Sequence, residues 1–196
     1  MKILIGTNNR GKFIEIGEAL SGLPFSLRAP QDIGINENPE ETGSTFQENA
    51  EIKARFFHGR GRLPTVADDS GLLVEALAGE LGIHTRRWGA GSGATDAEWI
   101  EFFLDRMQHE ENKRAHFVCA LAFIDHTGAL HQFEGRCSGV ITPSLEADYL
   151  PGLPISACFK PDGCTAVFSA LSIEQKNNTS HRGKAAHALR EFLSNL

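Results

Sequence analysis

The sequence predicts an α/β fold of the mixed α+β kind, in which helices flank a twisted β-sheet with parallel and antiparallel strands. Two observations support this prediction. Strand and helix signals alternate in the first half of the chain, and two neighbouring strand signals in the second half suit an antiparallel pair. Because 196 residues can form one substantial core or two small lobes, we expect a single domain over residues 1–196.

The first half contains two strands and two helices. Residues 2–7 form a short apolar run that predicts a buried strand. The apolar positions that follow recur at helical spacing, at Phe13, Ile16, Gly17 and Leu20. Thr45 and Glu48 have the spacing of a capping box, which predicts a second helix from Thr45 to about residue 57. Residues 63–67 predict a second strand, which ends at two carboxylates.

The second half begins with a helix that starts after Thr95, because Thr95 and Glu98 repeat the capping-box spacing. Its predicted buried face carries Trp99, Phe102, Phe103 and Met107. Residues 117–124 and 132–141 predict an antiparallel pair joined near Thr127 and Gly128, and residues 149–163, rich in Pro and Gly, predict a loop. The last helix follows Ser180 and buries a stripe formed by Ala185, Leu189, Phe192, Leu193 and Leu196.

Composition and charge disfavour several functional classes. A formal charge of −6 argues against a general nucleic-acid binder, since such proteins present a concentrated basic face. No run approaches the roughly 18 apolar residues of a membrane span, and we expect no signal peptide. The cysteines form no CxxC pair, which favours reduced thiols over a zinc site. We therefore expect a cytoplasmic protein with no nucleic-acid or membrane partner.

Residues 7–12, with the sequence TNNRGK, join the first predicted strand to the first helix. Free backbone N–H groups and the helix dipole suit an anion at such a position, and Lys12 supplies a countercharge. The segment is not a Walker A sequence. A polar turn that simply caps the helix explains it equally well.

Asp68 and Asp69 directly follow the strand predicted over residues 63–67 and precede Ser70 and Gly71. Adjacent carboxylates repel each other unless a cation compensates them, and Mg²⁺ prefers hard oxygen ligands that it shares with substrate phosphates. The pair therefore predicts a magnesium site. From the residues alone, the alternative is an Asx-type turn formed with Ser70 and Gly71.

Glu41, Glu48 and Lys53 surround the start of the second predicted helix. Capping explains Glu48, and a solvated helix face explains Lys53, so that neither is evidence of catalysis by itself. Glu41 lies outside the cap and close to Gly43. Its carboxylate can therefore point into a cleft.

Lys176, Ser180, His181 and Arg182 form the last polar cluster. Ser180 has the position of a helix N-cap, which places His181 and Arg182 in the first turn, where the helix dipole disfavours positive charge. An anion bound at this N-terminus would remove the conflict.

Four blocks of the sequence, in this order, resemble the inosine triphosphate pyrophosphatase family: TNNRGK, EETGSTFQENAEIKA, ADDSGLLVEAL and KNNTSHR. The resemblance extends from Lys2 to the C-terminal helix. It implies an elongated mixed sheet in two lobes with a central cleft, and a homodimer. It also implies Mg²⁺-dependent cleavage of nucleoside triphosphates, such as inosine, xanthosine or deoxyinosine triphosphate, to the monophosphate and pyrophosphate.

The resemblance also implies roles for individual residues. Asp69 matches the proton acceptor that activates water, and Lys53 matches a phosphate-binding lysine of the catalytic site. The implied metal ligands are Glu41, Asp68 and Asp69. The implied substrate-binding residues are Thr7, Asn8, Asn9, Arg10, Gly11, Lys12, Ser70, Leu153, Pro154, Ile155, Ser156, Lys176, His181 and Arg182.

The chain departs from the family pattern at two places. Where the family has Ser-Ala-Arg, this chain has Thr85-Arg86-Arg87, which keeps the arginine at Arg87. The family's Phe-Gly-Tyr-Asp run, which recognises the base, aligns with residues 153–156, so that an aromatic stacking surface and a carboxylate acceptor are both missing there. We therefore expect hydrolysis to be retained and the preference for hypoxanthine or xanthine to be altered or weakened.

Two alternatives stay open at this point. One is the same cleavage on a modified or pyrimidine nucleotide. The other is a nucleotide-binding regulatory protein with little turnover. The lysines and carboxylates of the four blocks disfavour the second alternative, because a protein that only binds nucleotides has little need of metal-binding carboxylates.

Overall fold

One mixed sheet of six strands organises the chain in a computed structural model that describes residues 2–91 and 93–195, with only the backbone of Arg86 and Arg87. The strands are β1 (Lys2–Ile5), β2 (Ser26–Arg28), β3 (Thr65–Val74), β4 (Arg114–Ile124), β5 (Leu130–Ile141) and β6 (Phe159–Pro161). Their spatial order is β2-β1-β3-β4-β5-β6. β1 is parallel to β2 and β3, and the other neighbours are antiparallel. The predicted mixed α/β fold is confirmed.

Five α-helices lie in the described part of the chain: α1 (Arg10–Ala19), α2 (Phe46–Gly61), α3 (Asp96–Gln108), α4 (Ile173–Thr179) and α5 (His181–Ser194). Side chains of the predicted N-caps Thr45, Thr95 and Ser180 each accept a backbone N–H of the first turn, which confirms the three predicted helix starts. None of these helices is long and apolar enough to cross a membrane.

The helices cover the two faces of the sheet separately. On one face, α1 and α5 pack on alternate residues of β3 and β4, and this core includes Ile16, Val66, Leu121 and Leu189. On the other face, α2 packs on the intervening residues, and this core includes Ala50, Ala54, Ala67 and Ala120. α3 packs near the other end of β3 and β4, in a cluster that includes Leu72, Trp99, Phe103 and Phe117.

The second predicted strand is longer than expected. The sequence predicts it over residues 63–67, whereas β3 continues through Asp68 and Asp69 to Val74. Unbroken antiparallel pairing with β4 carries the strand past the two carboxylates, although Asp disfavours strands by local propensity. The alternative of an Asx-type turn at this position is therefore wrong.

Three smaller differences concern one side chain and several short elements. Phe102, predicted on the buried face of α3, is 42% exposed. The segment 149–163, predicted as loop, contains a 3₁₀ helix at Pro154–Ala157 and the short strand β6. β2 and α4 were not predicted, because each is too short to produce a periodic signal. Leu196 and the side chain of Arg87, named from the sequence, lie outside the described residues.

Candidate active site

A cavity of about 520 Å³ opens beside the edge of β3. β1 pairs with β3 only as far as Val66, and the hydroxyl of Thr85 then bonds to the backbone of Leu72. Between these two points no strand of the described chain pairs with β3 on this side, and Asp69 and Ser70 line the cavity. The cavity therefore begins where the shorter strand β1 ends.

Asp68 and Asp69 point to opposite faces of the sheet, because side chains alternate along a strand. Asp68 points towards α1 and α5, and its carboxylate lies 3.0 Å from Lys12 Nζ. Asp69 points towards α2, and its carboxylate lies 2.7 Å from Lys53 Nζ. The repulsion expected between adjacent carboxylates is thus relieved by alternation and by separate lysines. The repulsion alone therefore does not require a bound metal, and the magnesium site predicted from the pair stays a prediction.

Asp68 lies at the centre of a buried charge network on the α1 and α5 face. Arg182 Nη2 lies 3.5 Å from its carboxylate, and Ser70 Oγ donates to it over 3.1 Å. Burial opposes ionisation of Asp68, but Lys12, Arg182 and Lys53 outweigh burial and lower its pKa. One carboxylate oxygen, Oδ1, is buried without a hydrogen-bond partner.

Arg182 also pairs with Glu15 of α1. Burial alone would lower the pKa of Arg182, but Glu15 and Asp68 together raise it. Protein carboxylates therefore compensate the positive charge in the first turn of α5. The bound anion that the sequence analysis invoked for this conflict is not required.

Lys53 joins the two carboxylates on the α2 side of the cavity. Its Nζ lies 3.0 Å from Glu41 Oε1 and 2.7 Å from Asp69 Oδ1. Burial would lower the pKa of Lys53, but Asp69, Asp68 and Glu41 raise it. Burial also raises the pKa of Asp69, against the opposing effects of Lys53 and Lys12. A carboxylate with a raised pKa is a better proton acceptor than an ordinary aspartate.

The donor set suits a divalent cation, although no group of three or more His, Cys, Asp or Glu residues in the described chain is arranged as a metal site. Glu41 and Asp69 both line the cavity and both contact one ammonium group, that of Lys53. The ammonium group of Lys53 thus lies between two carboxylates. Carboxylate oxygens are hard ligands of the kind that Mg²⁺ prefers. Asp68 does not line the cavity. Its Oδ1 is buried without a hydrogen-bond partner.

The loop before α1 forms the next wall. Asn9 caps α1, since its Oδ1 accepts the backbone N–H of Lys12, and its Nδ2 donates to the carbonyl of Gly152. Asn8 is held by Gln31 and Asn38. Asn9 therefore has the capping role of the alternative prediction, a polar turn, and it also lines the cavity.

Two residues of this loop lie outside the cavity wall. Arg10 is exposed, and Gly11 is buried beneath the loop that carries Leu153. A Cβ added at Gly11 would lie 2.8 Å from Leu153 Cδ1 and 2.9 Å from the carbonyl oxygen of Pro151. Glycine at this position therefore lets the two loops approach each other.

The opposite end of the cavity is apolar and aromatic. Trp99, Phe117, Ile155 and Phe168 line it. The His181 ring stacks on Phe117 with a centroid distance of 4.5 Å. Burial and the neighbouring Arg182 lower the pKa of His181 well below its usual value, so its ring is neutral at pH 7.

Most of the site residues implied by the resemblance come together in this cavity. Those that line it are Thr7, Asn8, Asn9, Lys12, Glu41, Lys53, Asp69, Ser70, Leu153, Pro154, Ile155, Ser156, Lys176, His181 and Arg182. Arg10, Gly11 and Asp68 do not line it. The individual roles of all these residues stay predictions.

Several residues that line the cavity are not predicted from the sequence as site residues: Glu15, Trp99, Phe117 and Phe168. Glu15 had a usable signal, because it lies three residues after Lys12 on the same helix and therefore on the same face. The aromatic residues have no sequence signal that distinguishes a cavity wall from the core. An apolar residue on a buried helix or strand face has the same pattern whether it fills the core or lines a cavity.

The fold and the cavity together define a mixed α/β protein whose cavity has one charged end and one aromatic end. The chain belongs to the Ham1 family, whose model matches residues 3–192. This match bears out the family recognised from the four sequence blocks.

Relatives and solved structures match over nearly the whole chain. The dITP/XTP pyrophosphatase of Haemophilus influenzae is 40% identical over 197 residues, which cover 98% of this chain and 98% of that protein. The dITP/XTP pyrophosphatase of Leptospira interrogans is 36% identical over 192 residues, which cover 98% and 96%. The structure of a HAM1 protein from Coxiella burnetii is similar, with a TM-score of 0.82, 31% identity and 100% coverage of both chains.

Proposed function

We propose that this chain is a nucleoside-triphosphate pyrophosphatase, which uses water to cleave the anhydride between the α and β phosphates and releases a nucleoside monophosphate and pyrophosphate. The observation that carries the proposal is the division of one cavity into a charged end, with Lys12, Lys53 and Asp69, and an aromatic end, with Phe117 and Phe168. A nucleotide likewise has a charged end, its phosphates, and an aromatic end, its base. The dITP/XTP pyrophosphatases similar to this chain support the reaction class.

Charge neutralisation is the first requirement of this reaction. A triphosphate carries several negative charges, and phosphoryl transfer is accelerated chiefly by neutralising them and by placing the water in line with the leaving oxygen. Lys12 and Lys53 both line the cavity, and they pair with aspartates that point to opposite faces of the sheet. Each is held by an aspartate of β3, so its position is fixed before the substrate arrives.

Proton transfer is the second requirement. In hydrolysis the water oxygen forms a bond to phosphorus, the bridging P–O bond breaks, and the water proton must be accepted. Asp69 lines the cavity, and its pKa is raised by burial, which suits it to accept that proton. Lys53 Nζ at 2.7 Å and Asn49 Nδ2 at 3.4 Å contact its two oxygens and orient the carboxylate.

We propose that Mg²⁺ is the cofactor and that Glu41 and Asp69 hold it, while Asp68, the third carboxylate implied by the resemblance, does not line the cavity. When bound, Mg²⁺ would add positive charge beside the phosphates. Titration with Mg²⁺ after treatment with EDTA tests the proposal: pyrophosphate release should be lost with EDTA and restored by Mg²⁺. Full activity of the metal-free protein would contradict it.

A panel of nucleoside triphosphates, with and without Mg²⁺, tests the reaction itself. The panel is run on the wild type and on Asp69→Asn, and pyrophosphate is measured. The proposal requires at least one triphosphate to be cleaved by the wild type, and cleavage to be strongly reduced in the variant. If no triphosphate is cleaved while one of them binds in the micromolar range, the chain is a nucleotide sensor instead.

We further propose that the preference for hypoxanthine or xanthine is altered or weakened. The support is the loop at residues 153–156, which lines the cavity without an aromatic ring or a carboxylate. A modified or pyrimidine nucleotide is the alternative substrate. Comparing kcat/KM across inosine, xanthosine and the standard triphosphates tests this, and a strong, exclusive preference for inosine triphosphate would refute it.

The homodimer and the cytoplasmic location stay predictions. Large exposed apolar side chains, among them Leu73, Phe102 and Leu145, are compatible with a dimer interface. Light scattering at several protein concentrations tests the dimer, since a mass of one chain throughout would exclude it. Cell fractionation tests the location.

A further inference from the structure

Trp99 lines the aromatic end of the cavity and carries a buried polar group without a partner. The residue belongs to α3, lines the cavity, and is 1% exposed. Its indole Nε1 is buried without a hydrogen-bond partner. The indole N–H can only donate a hydrogen bond, and leaving such a donor buried and unpaired costs free energy. A ligand atom that accepts a hydrogen bond would remove this cost.

Trp99 lies at the end of the cavity where the proposed function places the base. It shares a buried cluster with Ile155, Phe117 and Phe168, and its helix packs against the 3₁₀ helix at Pro154–Ala157. The lysines that suit the phosphates are at the charged end. A nucleotide held by its phosphates at that end therefore extends its base towards the Trp99 cluster.

The other polar side chains nearby differ from Trp99 in how they are held. Ser156 Oγ donates to the carbonyl of Leu153 over 2.6 Å, and Arg182 is engaged by Glu15, Ser70 and Asp68. His181 Nδ1 and Arg182 Nε are also buried without a hydrogen-bond partner. The lowered pKa of His181 leaves its ring neutral, so its Nδ1 donates in one tautomer and accepts in the other. Trp99 thus offers a donor whose direction does not depend on a tautomer or on a protonation state.

We propose that Trp99 is a specificity-determining residue, whose indole N–H donates a hydrogen bond to an exocyclic carbonyl oxygen of the base. This inference rests on the proposed function and deepens it. A carbonyl oxygen accepts the N–H, whereas an amino group at the same place presents a second donor and leaves the indole unpaired. The substrate class is therefore triphosphates of oxo-bases, purine or pyrimidine, in preference to the matching amino-bases.

Two pairs of substrates test the inference, because the members of each pair differ at the exocyclic group. We compare kcat/KM for inosine against adenosine triphosphate and for uridine against cytidine triphosphate, by pyrophosphate release. Trp99→Phe keeps an aromatic ring and removes the N–H. The wild type should favour the oxo-base in both pairs, and in Trp99→Phe both ratios should fall by about tenfold, the effect of one hydrogen bond.

Trp88→Phe is the matched control. Trp88 packs against Phe102 and Phe103 in the same region, and it is not among the described residues that line the cavity. Its substitution should leave both ratios unchanged. A ratio is independent of the fraction of correctly folded protein, so partial unfolding of Trp99→Phe cannot imitate the result.

Fluorescence provides a readout that a purely structural tryptophan would not give. In Trp88→Phe, Trp99 is the remaining tryptophan of the sequence. Titration with inosine monophosphate should change its emission, and adenosine monophosphate should change it less. Unchanged ratios in an active Trp99→Phe enzyme, or a wild type that does not favour the oxo-bases, would overturn the inference and leave the proposed function standing. Absence of turnover on every triphosphate would overturn both.

Discussion

The two ends of the cavity are built by different physical means. At the charged end, ion pairs between distant elements fix the side chains, as in Lys12 with Asp68, Lys53 with Asp69, and Arg182 with Glu15. At the aromatic end, ring stacking and apolar packing form the wall, as between Phe117 and His181. A buried ion pair needs both partners, whereas apolar packing mainly needs volume. The charged end should therefore tolerate less change than the aromatic end.

The largest effect should come from Asp69→Asn. The amide has the same shape but cannot accept the water proton, so kcat should fall by about a thousandfold, within the usual range for a general base. Pyrophosphate release at saturating inosine triphosphate and Mg²⁺ measures it. Glu51→Gln, on the same helix as Lys53 but outside the cavity lining, is the control and should retain wild-type kcat. An Asp69→Asn enzyme within tenfold of the wild type would remove Asp69 from the reaction.

Lys12→Met should have the next largest effect. It removes a phosphate-facing cation and takes one counterion from the buried carboxylate of Asp68, so we expect kcat/KM to fall by about a hundredfold and stability by about 3 kcal/mol. Urea unfolding and steady-state kinetics measure the two losses. The double variant Lys12→Met with Asp68→Asn should regain stability but not activity. Equal stability of the single and double variants would show that Asp68 does not depend on Lys12.

Ile155→Val should have a small effect, because it removes one methyl group from the apolar wall. We expect a loss of stability of about 1 kcal/mol and a change in kcat/KM of less than about threefold. The same two assays apply. A loss of activity comparable to that of Lys12→Met would contradict the difference between the two ends of the cavity.

The smallest effect on activity should come from Asp125→Asn, in the turn between β4 and β5. Hydrogen bonds from Thr127 and His131 lower the pKa of Asp125 below that of the unfolded chain. Its contribution to stability is therefore complete above the unfolded pKa of about 4 and is lost as pH falls towards the lower folded value. Thermal unfolding should show Asp125→Asn less stable than the wild type at pH 7, with the difference shrinking below about pH 4. If the stability difference between the wild type and Asp125→Asn grows as pH falls, the pKa of Asp125 is not lowered in the folded protein. The kcat of Asp125→Asn should equal that of the wild type.

Local signals predicted part of the structure correctly. The starts of α2, α3 and α5 follow from caps at Thr45, Thr95 and Ser180, each of which bonds within its own first turn. The end of β3 could not be predicted in this way. Its continuation to Val74 depends on pairing with β4, whose residues lie far away in the sequence. The orientation of Asp68 and Asp69 to opposite faces depended on that strand.

The sequence by itself determined the family and most residues of the charged end, because these residues occur in contiguous blocks of fixed order and spacing, such as TNNRGK and ADDSG. Only the tertiary structure decided which carboxylate lines the cavity and which lies behind it. It also brought Glu15 to Arg182, across 167 residues, and placed Trp99 at the aromatic end. The physical reason is the same in each case. Helix caps and motifs are set by near neighbours, whereas a buried ion pair or a cavity wall exists only when distant segments pack together.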